Sequence, residues 1–154
     1  MKKIKNSTNR LDIPLQFTES QHLICRLYIN NNEGLFLIDT GASNSCIDHE
    51  KASDFDLIPE GDSLPMTAAS ETQLTARGSQ KSILGTQEQS IMEISFMLID
   101  LQTINDALEK QYCLPIDGII GADVLQENNA IVDYGRAQLS LQISQKSKTT
   151  LMPF

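Results

Sequence analysis

Apolar residues in this chain come in short runs that are broken almost at once. Residues 35–38 (LFLI) and 94–99 (ISFMLI) are among the longest, and each ends within a few residues. Runs of this length, bounded by Gly, Asn, Asp and Pro, are the pattern of strands and tight turns. They fall far short of the roughly 20 residues that a bilayer-spanning helix needs, so no membrane segment is expected. Residues 22–29 (HLICRLYI) are rich in β-formers, Asn30-Asn31-Asn32-Glu33-Gly34 is turn chemistry, and 35–38 form a second strand, which makes a hairpin running straight into Asp39. Residues 46–48 suit a short strand and 49–56 a helical turn before Pro59 and Gly61. A second hairpin is expected from 66–69 and 73–77 around Ser70-Glu71-Thr72, closed by Gly78.

Further along, 82–84 and 90–100 read as strands, the latter with Met92, Ile94, Phe96 and Leu98 on one face. Residues 104–112 suit a short helix that ends before Pro115, and 122–126 have helical propensity. Residues 129–133 and 137–143 form a last hairpin across Tyr134-Gly135-Arg136. With no sustained strand–helix–strand alternation and no internal repeat, the pattern predicts an all-β fold with one or two short helices.

A chain of 154 residues fits one domain. The expected division is an N-terminal extension over 1–14, the domain over 15–144 and a C-terminal tail over 145–154, polar until Leu151-Met152-Pro153-Phe154. Acidic residues outnumber basic ones 20 to 12, for a formal charge of -8. The basic residues are scattered after Met1-Lys2-Lys3-Ile4-Lys5, so nucleic acid is not an expected partner. Those lysines are followed by Asn6-Ser7-Thr8-Asn9-Arg10 where a secretory leader would need an apolar stretch, and the expected location is cytoplasmic. Cys25, Cys46 and Cys113 are odd in number and widely spaced, and are expected to be reduced and packed. His22 and His49 lack partners at metal-binding spacing, so no metal is expected. Ser43 and Ser45 lack the setting of a serine nucleophile.

Chemistry concentrates at Leu37-Ile38-Asp39-Thr40-Gly41-Ala42-Ser43. An apolar strand there delivers a carboxylate into a tight turn. Gly41 lets the backbone bend where a side chain would obstruct, and Thr40 and Ser43 offer hydroxyls to orient the carboxylate or nearby backbone. About 80 residues later, Asp117-Gly118-Ile119-Ile120-Gly121-Ala122-Asp123 places two apolar residues and a glycine before a short helix. Asp117 and Asp123 suit turn and helix-start roles better than a second catalytic acid.

These paired motifs, in this order and over roughly residues 22–143, resemble the retropepsin-like aspartic proteases. The resemblance implies a closed β-barrel-type domain in which Asp39 is the catalytic residue, supported by Thr40, Gly41, Ala42 and Ser43. Ile119, Ile120 and Gly121 form the family's apolar-Gly element, and Ala69, Ser70, Glu71 and Thr72 the tip of a flap over the substrate. That tip departs from the family's usual glycine-containing flap. One Asp-Thr-Gly per chain implies a homodimer in which two Asp39 carboxylates share a proton. It also implies hydrolysis of a peptide or protein substrate without a cofactor. Ile47, Leu84 and Ile120 are expected to line the groove, and the strand carrying Leu139, Leu141 and Ile143, with the final Leu-Met-Pro-Phe, to form the dimer seam. The alternative implication is a catalytically silent module of the same fold that binds peptides or only dimerises.

Overall fold

The computed structural model of the chain describes residues 9–67, 73–111 and 113–143. Thirteen strands and two short α-helices occur among them, together with two 3-10 turns at His49–Lys51 and Ser53–Phe55. The first hairpin pairs β3 (Leu23–Ile29) with β4 (Asn32–Ile38) through a two-residue turn, Asn30-Asn31. Both asparagines have positive φ, 50° and 68°, which is the twist a two-residue hairpin turn requires and which Asn tolerates. The turn is therefore shorter than the expected 30–34. Gly34 belongs to β4, where a Cβ would meet the Phe55 ring at 2.6 Å.

Strand β4 is buried from Gly34 through Ile38, on both faces, which explains why residues 35–38 do not alternate. Phe36 and Ile38 enter the larger of two apolar clusters, and Leu35 and Leu37 enter the smaller one with Ile24, Ile99, Leu108, Ile116 and Ile119. The main sheet is completed by β2 (Gln16–Phe17), β5 (Cys46–Asp48), β6 (Pro59–Thr67), β7 (Gln73–Ser79), β8 (Ser82–Gly85), β9 (Ser90–Ile94), β10 (Met97–Ile99) and β11 (Gly118–Ile120). Its order is β6-β7-β10-β5-β11-β4-β3-β8-β9, with β2 paired to β3. The all-β expectation holds, but the sheet keeps two open ends, β6 and β9, instead of closing into a barrel.

Residues 90–100 form two strands, not the single strand expected. At Ser95-Phe96 the chain leaves β8 for a place between β7 and β5, and the turn is fixed by Phe96 N–H donating to Ser79 Oγ at 2.9 Å and Met97 N–H to Ser45 O at 3.1 Å. Helix α1 (Gln102–Glu109) follows β10, and α2 (Ala122–Glu127) follows β11.

A second, three-stranded sheet runs β1 (Asn9–Pro14), β13 (Gln138–Ile143), β12 (Ile131–Asp133). Asn9 pairs with Ile143 and Pro14 with Gln138, and Ile13 is core. Residues 9–14, expected as part of an N-terminal extension, thus contribute a strand to the fold. Leu139, Leu141 and Ile143 face the larger cluster at 0–2% exposure. The apolar face expected at a seam thus points into the core of its own chain. The final Leu-Met-Pro-Phe lies outside the described residues.

Candidate active site

Strand β11 lies between β4, to which it is parallel, and β5, to which it is antiparallel. Ile120 is level with Ile38, and Asp39 N–H donates to Ile120 O at 2.9 Å. The loop joining β4 to β5 thus bends around the end of β11, with Asp39, half-buried, as its first residue. Within the loop, Gly41 N–H donates to Asp39 Oδ1 at 2.9 Å and Ala42 N–H to Asp39 O at 3.1 Å. A Cβ on Gly41 would sit 3.3 Å from Asp39 Oδ1, so the glycine leaves room for the carboxylate it binds.

The loop is locked to the second motif through Ser45, which is fully buried. Its Oγ donates to Asp123 Oδ1 at 2.7 Å and accepts from Gly121 N–H at 2.9 Å, while its N–H donates to Asp123 Oδ2 at 2.9 Å. Asp123 Oδ1 also accepts from Val124 N–H at 2.8 Å in the first turn of α2. Ala122 N–H donates to Ala42 O at 2.7 Å, and a Cβ on Gly121 would approach that oxygen to 2.6 Å. Only glycine allows this approach. At the other end of β11, Asp117 Oδ2 accepts from Leu35 N–H at 2.9 Å, and Asp117 O accepts from Asp48 N–H at 2.9 Å. Both aspartates of the second motif are therefore frame residues.

Around this frame, Thr40 and Ser43 are exposed and Ala42 packs against the smaller cluster. Thr40 shares the rim of a cavity of about 400 Å³ with Ala122, Leu125 and Val132. Ile119 and Ile120 are buried at 6% and 0% exposure. The anticipated groove residues Ile47, Leu84 and Ile120 are all 0% exposed, so they belong to the core and line no groove. Strand alternation explains the error: these apolar residues point inward from their strands. The second hairpin is longer than expected, pairing Pro59 with Ser79 and Thr67 with Gln73 across a bulge between Glu60 and Leu64. Its tip, including Ala69, Ser70, Glu71 and Thr72, lies outside the described residues.

The three cysteines are free. Burial pushes the Cys25 and Cys46 thiols up to about 12, and raises half-buried Cys113 as well. Asp48, His49 and Asp100 bring ligand atoms within 4.8 Å of one another where β5 and β10 end side by side, at the end of β11 away from Asp39. His49 and Asp100 are exposed, and exposed acidic groups commonly gather without an ion.

Sequence reasoning passed over Ser45 as a residue of the site. Its one signal was a buried-type position at the start of an apolar strand, and nothing local ties it to Asp123, 78 residues away.

The sequence profile of the aspartyl protease family matches residues 25–124, the span that holds both motifs and the frame between them. No curated relative matches at a significant level. Among solved structures, the chain is similar to a retropepsin-like aspartic protease from Rickettsia conorii, at 16% identity and a TM-score of 0.54, covering 92% of this chain and 98% of that one. It is also similar to the retroviral protease-like domain of Ddi1 from Leishmania major, at 16% identity and a TM-score of 0.55, covering 80% of this chain and 92% of that one. At this identity the likeness in structure speaks for a retropepsin-like fold, and the profile match, over more than half of the chain, establishes that the chain belongs to the aspartyl protease family.

Proposed function

We propose that two copies of this chain form an aspartic endopeptidase, each supplying one Asp39 carboxylate. The observation that carries this reading is the aim of Asp39: it leaves β4 half-buried, with Oδ1 held by Gly41 N–H in a loop pinned by Ser45 and Asp123. A carboxylate so fixed is ready for acid–base work but is half of what amide hydrolysis needs. A two-fold axis beside the loop brings the second Asp39 from the partner, and exposed Thr40 is placed to reach the partner's loop.

As is general for aspartic-protease dyads, like charges in close contact cannot both ionise, so the pair holds one proton. The ionised Asp39 takes a proton from a water lying between the two carboxyls, and the water oxygen attacks the scissile carbonyl carbon. The protonated Asp39 gives its proton to the carbonyl oxygen, forming a neutral tetrahedral diol. The diol collapses as the amide nitrogen takes up a proton from the dyad and one diol hydroxyl gives its proton to the other carboxylate; the C–N bond breaks to a carboxylic acid and an amine, and the dyad again holds one proton. The second hairpin covers an extended peptide, which meets backbone groups along its length. No cofactor enters this chemistry. With -8 per chain, the subunits repel at neutral pH, and the dimer tightens in mild acid or added salt.

The test incubates wild type and Asp39→Asn, at matched high concentration, with an unfolded protein from pH 4 to 7.5 and maps the cuts by mass spectrometry. Wild type is expected to cut and Asp39→Asn to lose roughly 10³-fold or more, with its circular dichroism unchanged. A wild type that sediments as a dimer yet cuts nothing at any pH overturns the enzyme in favour of a peptide-binding or dimerisation module.

A further inference from the structure

Strands β3 and β4 pair from Ile29 opposite Asn32 to Leu23 opposite Ile38. One step further, the same register sets His22 opposite Asp39. We propose that His22 is a positioning residue for Asp39: from across the pair, its imidazolium holds the Asp39 carboxylate as an ion partner. What this does for a dyad rests on the endopeptidase reading; the pairing of the two side chains rests on the strands alone.

The backbone shows what kind of pair this is. His22 turns its polar groups toward β2: its O accepts from Thr18 N–H at 2.9 Å, and its N–H donates to Thr18 Oγ1 at 3.0 Å. Asp39 turns its N–H the other way, to Ile120 O of β11 at 2.9 Å. Backbone groups that point apart mark the non-hydrogen-bonded pair of an antiparallel ladder, the closer of its two kinds, with Cα atoms about 4.5 Å apart. Side chains directly opposite share a face, with Cβ atoms about 4.5–5.5 Å apart. The next pair on that face is Ile24 and Leu37, both in the smaller apolar cluster. His22, exposed, and Asp39, half-buried, thus end this row where it meets solvent.

The imidazole is held in place by its own turn. Ser20 Oγ lies 2.9 Å from Thr18 Oγ1 and 2.6 Å from His22 Nδ1, a series of three alternate residues. In the imidazolium, Nδ1–H donates to Ser20 Oγ, and the Ser20 hydroxyl is passed on to Thr18 Oγ1; in the neutral ring the Ser20 hydroxyl donates to Nδ1. Either way Nδ1 is engaged, and Nε2 is the nitrogen left for a partner outside the turn. Asp39 is the charged group that faces His22 from β4, and Glu19 the one in its own turn. From β2 come Gln16 and Phe17, and from the chain after α1, which shares a cavity with Glu19, come Gln111, Cys113 and Leu114. Arg26, two places beyond Ile24 on the same face, is tied to Glu33 at 3.7 Å. Histidine is the side chain that gains its charge between pH 8 and 5, so the partner charge arrives as the solution turns acid and carboxylates begin to be lost to protonation.

Two arms test the proposal and separate it from the endopeptidase reading. The first reads the pairing without cleavage. The chain has two histidines, and His49 stands at the end of β11 away from Asp39, which makes it an internal control. Imidazole C–H resonances are recorded at pH 6 for wild type and Asp39→Asn, at a concentration where both sediment alike, with His49→Gln assigning the two signals. The His22 signal is expected to move when the Asp39 charge is removed, and the His49 signal to stay. The second arm measures cleavage of an unfolded protein at pH 4.5 and 7.5 by wild type, His22→Gln and His22→Arg, each shown to be folded by circular dichroism and dimeric by sedimentation. The ratio of activity at pH 4.5 to that at pH 7.5 is expected to fall about fivefold in His22→Gln, the upper end for an exposed ion pair. In His22→Arg, which keeps the charge, it is expected not to fall. An unchanged ratio in His22→Gln overturns the proposal, including a loss by the same factor at both pH values, which is what a residue that only supports the turn would give. A His22 signal that moves while wild type cuts nothing supports the pairing and counts against the enzyme. Cleavage by wild type with a His22 signal indifferent to Asp39→Asn overturns the pairing and leaves the enzyme standing.

Discussion

Around Asp39 the backbone is tied at every step: Asp39 N–H to Ile120, Gly41 N–H to the Asp39 carboxylate, Ala122 N–H to Ala42, and Gly121 N–H to Ser45. Along β6, by contrast, residues 59–65 are exposed throughout, the pairing with β7 is interrupted by a bulge, and Leu64 stands 62% exposed. One side-chain bond there, Arg77 Nε to Gly61 O at 2.7 Å, spans the irregular stretch. The loop is placed by contacts between residues nearly 80 apart, and the hairpin mostly by its own two strands. In the proposed endopeptidase, a carboxylate that must meet its mate and a water in fixed geometry requires the first kind of construction. In the same proposed enzyme, the cover that admits a chain and closes again is drawn from the second, the less stable end of a molecule's range.

Substitutions that strike the frame should therefore cost far more than those that strike the hairpin. The largest effect is expected from Gly121→Ala, because the new Cβ would lie 2.6 Å from the Ala42 carbonyl oxygen with only backbone to yield. About 3 kcal/mol of stability, the upper end for overpacking, should be lost in urea unfolding, together with cleavage. Ser45→Ala comes next: it leaves Gly121 N–H without its acceptor and deprives Asp123 of a donor. The expected loss is about 1–3 kcal/mol, with a drop in kcat at temperatures where the variant remains folded. A variant that loses stability while keeping full kcat would show that Ser45 supports the fold without aiming Asp39. Leu64→Ser on the exposed hairpin should change stability within about ±0.5 kcal/mol. A loss above 1 kcal/mol in the same urea titration would mean that β6 is packed against something, and the contrast between the two regions would fail.

Much of this was readable in the residues, and the limits of that reading have physical causes. The β3–β4 hairpin, β5, both helices and the Asp39 turn announced themselves because their signals are local: Asn-Asn at a turn, apolar runs of strand length, Gly after Asp-Thr. What failed was non-local. The break at Ser95-Phe96 comes from a bond to Ser79, the strand at Asn9–Pro14 from pairing with the far end of the chain, and the role of Ser45 from Asp123. Apolar residues such as Ile47 and Leu84 fit a groove wall and a core equally well in sequence. Which face of a strand is inward is decided by what the rest of the chain brings over it.

The parallel seat of β11 beside β4 also sets an order of events in time. Phe36 pairs with Gly118 and Ile38 with Ile120, so closing that pair means bringing together segments 82 residues apart, and contacts of such span form slowly because chain entropy is spent before they repay it. During synthesis Asp39 emerges long before residues 117–124 exist to aim it. A half-made chain thus carries the acid but no site, and if the proposed endopeptidase reading holds, the neighbourhood of a growing polypeptide is spared a cutting edge until the whole fold has come together.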